Sequence, residues 1–113
     1  MDISICTLSG EKESLLILEG VKDYFLQEFP SKEVEWVCSG TRLTTSLSVS
    51  EKEITKVFEE LVKKYPQLDV EAFDSYDVRE DDRSAQWWGV TRIYAERENG
   101  ETKIVSSSST YWN

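Results

Sequence analysis

Hydrophobic positions fall into two helical stripes set among stretches of strict alternation. The cleaner stripe is Ile54, Val57, Phe58, Leu61, Val62 and Tyr65. These positions recur at i, i+3, i+4, i+7, i+8 and i+11, so they share one face of a helix. Ser50 precedes the stripe and Glu53 follows three residues later. That pair reads as a capping box, in which each side chain satisfies an orphan N–H of the other residue. Pro66 ends the helix. A first helix is predicted from about Glu11 to Phe29. Leu15, Leu18, Val21, Phe25 and Phe29 form its core stripe, and Leu16, Ile17, Tyr24 and Leu26 broaden it. Ser9-Gly10 opens this helix and Pro30 stops it. Gly20 in its middle costs helix propensity; close packing on a sheet would explain it.

The intervening runs have the period of two that a half-buried strand requires. "DISICTL" alternates Ile3 and Ile5 against Ser4 and Cys6. "EVEWVCS" alternates Val34, Trp36 and Cys38 against Glu35, Val37 and Ser39. "RLTTSLSVS" puts Leu43, Thr45, Leu47 and Val49 on one face. "DVEAFDSY" sets Val70 and Ala72 against Glu71 and Phe73. The last stretch, "QWWGVTRIYAERENGETKIVSSSSTYWN", reads as a hairpin about Asn99-Gly100, a pair that tolerates positive φ at both turn positions. Its four serines, 106–109, are read as the small polar part of a last strand; a flexible tail is the competing reading.

"FPSKEVEW" at 29–36 and "YPQLDVEA" at 65–72 share an aromatic, a proline and an acid–Val–Glu core, each after a helix. The chain therefore reads as one domain, 1–113, of two strand–helix–strand units at about 2–39 and 43–76 and a hairpin at about 86–112. The expected class is α+β: a ferredoxin-like βαββαβ fold with an additional C-terminal β-hairpin and two helices on one face of an antiparallel sheet. The hairpin would extend that sheet or fold over its open side.

Charge narrows the function. The chain has 22 acidic and 13 basic residues, a net charge of −9. Phosphate neutralisation needs clustered Lys and Arg, so direct nucleic-acid binding is not expected, and neither is an anionic membrane surface. A basic protein partner suits the balance. The acids concentrate between Asp69 and Asp82, where seven carboxylates meet Arg79 alone. No basic start with a long apolar run opens the chain, and no segment approaches the ~20 apolar residues of a membrane helix. A cytoplasmic location is expected. Cys6 and Cys38 are not in a metal-ligand spacing and read as buried free thiols, or as a cross-strand disulfide if the strands bring them close.

Histidine is absent, which removes the commonest general base and transition-metal ligand. No phosphate-cradling glycine motif occurs, and no cofactor is implied. Asp74, Asp77, Glu80, Asp81 and Asp82 carry the oxygen ligands that Mg²⁺ or Ca²⁺ takes, but their spacing departs from the EF-hand loop. Charge runs are usually solvated loops. The expectation is a protein that is not an enzyme.

Trp87 and Trp88 are neighbours in a strand, so they point to opposite faces. An exposed indole beside an acidic segment has the composition of an interface anchor with an electrostatic rim. The candidate partner-binding residues are therefore Asp74, Asp77, Glu80, Asp81, Asp82, Trp87 and Trp88.

"VSEKEITKVFEELVKKYPQLDVEAF" and the later "WWGVTRIYAERENGE" resemble the second half of the YubB-type ferredoxin-like domains of phages and plasmids. "SLSVS" stands where those domains usually have a Trp–Pro segment. The resemblance implies a mobile-element context and no particular activity. In size, acidity and lack of catalytic residues the chain is also similar in kind to anti-CRISPR inhibitors of phages and to immunity proteins of toxin systems. The leading expectation is a non-enzymatic acidic protein that inhibits a basic nucleic-acid-handling protein, as anti-CRISPR proteins do. Alternatives are an immunity protein against a toxin nuclease, a small carboxylate-dependent metal enzyme, and a homodimer formed through the open sheet face or the terminal strand.

Overall fold

The structure, a computed structural model, describes residues 1–8, 10–77 and 87–112. The elements run β1 (Asp2–Thr7), α1 (Glu11–Glu28), β2 (Val37–Ser39), β3 (Arg42–Ser46), α2 (Glu51–Lys64), β4 (Leu68–Asp77), β5 (Trp87–Glu98) and β6 (Glu101–Trp112). They form an α+β domain with two helices and one six-stranded antiparallel sheet, ordered β2-β3-β1-β4-β5-β6. The hairpin extends the sheet beside β4 and does not fold over it. A bare four-stranded unit would leave β4 at the edge; here it is internal, paired with β1 on one side and β5 on the other.

Alternation decides which sheet face is covered. Ile3, Ile5, Leu43, Leu68, Val70, Ala72 and Ile93 are buried, and so are Val21 and Phe25 of α1 and Ile54, Phe58 and Leu61 of α2. All belong to one core. Both helices therefore lie on one face, and among the described residues the opposite face carries no helix. Register agrees: Ile3 sits between Thr45 and Ala72, and Ala72 sits opposite Ile93.

The α2 start follows its sequence signal. The Glu53 N–H donates to Ser50 Oγ at 3.2 Å, and the Ser50 N–H donates to Glu53 Oε1 at 3.2 Å. The Ser50 hydroxyl adds a 2.9 Å bond to the same oxygen. These bonds hold the Glu53 carboxyl below its ordinary range, the side-chain bond from Ser50 contributing most. Ser50→Ala is expected to lower stability by about 1 kcal/mol, read from the urea midpoint. Because the Glu53 pKa is depressed in the folded state, the contribution of this carboxylate is complete above the unfolded-state value. It fades as pH falls through the folded one. A midpoint difference between wild type and variant that stays constant through the acid range would contradict the capping box.

Four sequence expectations change. On α1, Leu15, Leu16 and Leu26 are exposed, at 60%, 72% and 56%. The core side is Ser14, Ile17, Leu18, Val21 and Phe25. Apolar residues occur all round this helix, so periodicity alone selects no face. Gly20 packs under the end of α2, not against the sheet: a Cβ there would lie 2.2 Å from Tyr65 Oη. The "EVEW" copy of the repeat lies outside regular strand, since β2 begins at Val37, whereas "DVEA" lies within central β4. Only β3 lends β2 hydrogen bonds, which leaves less to hold it extended. Trp36 still packs edge-on against Phe25, at 5.0 Å and 85°. Finally, Cys6 and Cys38 are free thiols, and Cys38 is exposed at the sheet edge. Cys6 pairs with Arg42 while Cys38 pairs with Leu43, so the two sit one residue out of step and on opposite faces.

Candidate functional site

The sheet face opposite the helices, which no described element covers, is the candidate functional surface. Strand register assembles it. On β4 the positions alternating with buried Val70 and Ala72 are Asp69, Glu71 and Phe73. On β5 the positions alternating with buried Thr91 and Ile93 are Trp88, Val90, Arg92 and Tyr94. Phe73 sits directly opposite Arg92, and Glu71 directly opposite Tyr94. Phe73 is 38% exposed and Trp88 37%. These are substantial values for rings flanked by neighbouring strands, since large apolar side chains ordinarily go inside.

Arg92 is held in place. Its Nη2 donates to Glu71 Oε2 at 3.2 Å, and its guanidinium carbon lies 5.5 Å from the centre of the Tyr94 ring. Both partners are on the face, so the guanidinium lies flat across β4 and β5. The ion pair is half-exposed, and such pairs add little stability. Its effect is orientation: one cation is neutralised and fixed beside Phe73.

Next to Phe73 the face hollows into a groove of about 540 Å³ over β3, β1 and β4. Ser4, Thr44 and Ser46 form part of its floor, Val37 and Phe73 are its apolar walls, and Asp2, Glu35 and Glu71 supply three carboxylates. Among the described residues no lysine or arginine lines it. Small hydroxyl side chains on β1 and β3 make the hollow, because the bulky apolar residues of those two strands, Ile3, Ile5 and Leu43, point to the helices. An apolar wall with several carboxylates and no lining cation suits an arginine or lysine side chain, whose stem packs on the ring while its charge meets the acids.

The predicted binding residues scatter. Trp88 is on the open face. Register places Asp77 opposite Trp88, and Trp87 opposite Trp112. Asp74 is half-buried and pairs with buried Thr91, so it lies on the helix side, away from Trp88. Glu80, Asp81 and Asp82 lie outside the described residues. Strand parity is the physical reason for the split: Asp74 pairs with core-side Thr91, whereas Trp88 is an odd number of residues from Thr91 and takes the other face. Phe73, Arg92, Tyr94 and the groove acids Asp2 and Glu35 were missed. A signal for Phe73 was present, because the alternation in "DVEAFDSY" already set it beside Glu71.

No protein-family model matches the chain, and neither does any curated protein. Among the described residues no carboxylates or thiols gather as a metal site, and no described helix is long and apolar enough to cross a membrane.

Proposed function

We propose that this is a non-enzymatic acidic binding protein that inhibits a basic, nucleic-acid-handling protein, in the manner of phage anti-CRISPR inhibitors. The observation that carries the reading is the groove on the open sheet face, with Asp2, Glu35 and Glu71 beside Phe73 and no cation among its lining residues. A surface that binds nucleic acid presents arginines and lysines. The groove takes one such side chain, and Trp88, on the same face, anchors the rim. Carboxylates offered there compete with phosphates for the same cations without reading sequence, and the net charge of −9 speeds the encounter. The order β2-β3-β1-β4, with one helix after β1 and one after β3, supports a ferredoxin-like βαββαβ unit at the centre. A cytoplasmic site of action fits a nucleic-acid-handling target.

The test uses a partner captured from host lysate, purified, and titrated against defined variants. Asp2→Asn combined with Glu35→Gln is expected to weaken binding about tenfold, at up to ~1 kcal/mol for each exposed charge pair, and to flatten the salt dependence. Trp88→Ala weakens it at least as much. Asp77→Asn combined with Glu80→Gln, Asp81→Asn and Asp82→Asn measures the neighbouring acidic segment separately. Unchanged affinity in all three variants removes the reading.

A further inference from the structure

The two edges of the sheet are built differently. β2 is three residues long, which is one of the ways natural sheets blunt an edge. β6 is twelve residues long and bonds only to β5. Its register with β5 is unbroken from Glu98↔Glu101 to Trp87↔Trp112, so no bulge twists the edge away. From Ile104 to Trp112 it carries no charge and no proline. Among the described residues, the usual protections of a long edge strand are therefore missing over this stretch.

The turn fixes which backbone groups are free. Asn99 and Gly100 have φ of 54° and 80°, a two-residue loop of the I′ kind, and Glu98 and Glu101 close it as a hydrogen-bonded pair. Alternate residues of β6 then bond to β5. The N–H and C=O groups of Thr102, Ile104, Ser106, Ser108, Thr110 and Trp112 point outward. The 3.2 Å contact between Thr91 Oγ1 and Ser108 Oγ agrees with this parity, since side chains approach more closely across non-hydrogen-bonded pairs.

We infer that β6 pairs antiparallel with β6 of a second copy of this chain, giving one continuous sheet across a two-fold axis in the serine run. Self-complementarity of the strand points to this occupant. The chain as a whole is at −9, and two copies repel over most of their surfaces. β6 has Glu101 and Lys103 alone and is neutral. With the axis at Ser107, Thr102 lies opposite the second copy's Trp112, Ile104 opposite its Thr110, and Ser106 opposite its Ser108. No carboxylate faces a carboxylate. A two-fold pairing also keeps side-chain parity, so both sets of helices lie on one side and both open faces on the other. This inference does not depend on the identity of any partner.

Sedimentation velocity from about 5 µM to about 500 µM, a range that brackets micromolar association, tests it. Wild type is expected to pass from monomer to dimer. Ser106→Pro removes an outward N–H that β5 does not use, so the circular dichroism spectrum is retained while dimerisation weakens more than tenfold. Ser107→Lys and Ser107→Glu keep every backbone group. Each alone weakens the dimer by placing like charges at the axis, and an equimolar mixture of the two restores it. Three outcomes overturn the inference: wild type monomeric throughout the range, a dimer that Ser106→Pro leaves intact, or Ser106→Pro weakening partner binding by a chain that is itself monomeric. The last would mean that β6 receives a strand from the partner.

Discussion

Phe25→Ala is expected to lower unfolding free energy by about 4 kcal/mol, within the range for deleting a buried phenylalanine. Phe25 is fully buried. Its ring meets Trp36 edge-on at 5.0 Å and Phe29 at 5.9 Å. It thus ties α1 to the segment that leads into β2, which has little else to hold it. The side chains around the deletion belong to different elements, so collapse into the cavity is limited and the cavity cost adds to the transfer cost. A domain of this size has about 5–15 kcal/mol in total, so the variant comes close to its threshold. The measurement is urea unfolding, with a lower midpoint and an unchanged slope. Indole fluorescence should shift to the red as Trp36 loses its neighbour. Phe73→Ala on the open face is the control, at under about 1 kcal/mol. Equal losses for the two phenylalanines would mean that the open face is covered in solution.

Gly20→Ala gives the second large effect, and its sign depends on another residue. Alanine improves an exposed helix position by about 1 kcal/mol. At position 20 the new methyl would lie 2.2 Å from Tyr65 Oη and 3.1 Å from Cζ. The ring must leave its place against α1, and overpacking of this kind costs about 1–3 kcal/mol. A net loss of about 1 kcal/mol is expected in the wild-type background. In Tyr65→Ala the obstacle is gone, and Gly20→Ala should stabilise by about 1 kcal/mol. The coupling between the two sites is therefore about 2 kcal/mol, measured as a double-mutant cycle. Additive effects would show that Tyr65 does not rest on Gly20.

The elements legible in the sequence are those fixed by local chemistry. The α2 stripe has polar residues on its other side, so its period names one face, and Ser50 with Glu53 marks its first turn. Asn99-Gly100 specifies its turn because few residues tolerate positive φ. β4 alternates cleanly, and the adjacency of Trp87 and Trp88 separates them onto two faces; the structure adds that Trp88 takes the open one. The less legible parts depend on distant neighbours. Leu15 and Leu26 look like core residues until the sheet shows how narrow a strip of α1 it covers. The "EVEW" segment shares an acid–Val–Glu core with "DVEA", but only the second receives strands on both sides. The candidate site was hardest. Asp2, Glu35 and Glu71 are far apart in sequence and meet only because β1 runs between β3 and β4. The dense acids after Asp69 dominate the sequence pattern instead, and sequence proximity says little about which face each carboxylate takes.

The place of β1 has a consequence for synthesis. The strand is made first, yet both of its neighbours come later: Ile5 pairs with Leu43 and Val70. At about 5–20 residues per second, several seconds separate the appearance of β1 on the ribosome from that of β4. During that interval Ile3 and Ile5 have no complete sheet to join. The nascent chain is therefore expected to stay protease-sensitive until residue 77 has cleared the exit tunnel, and then to become resistant in one step.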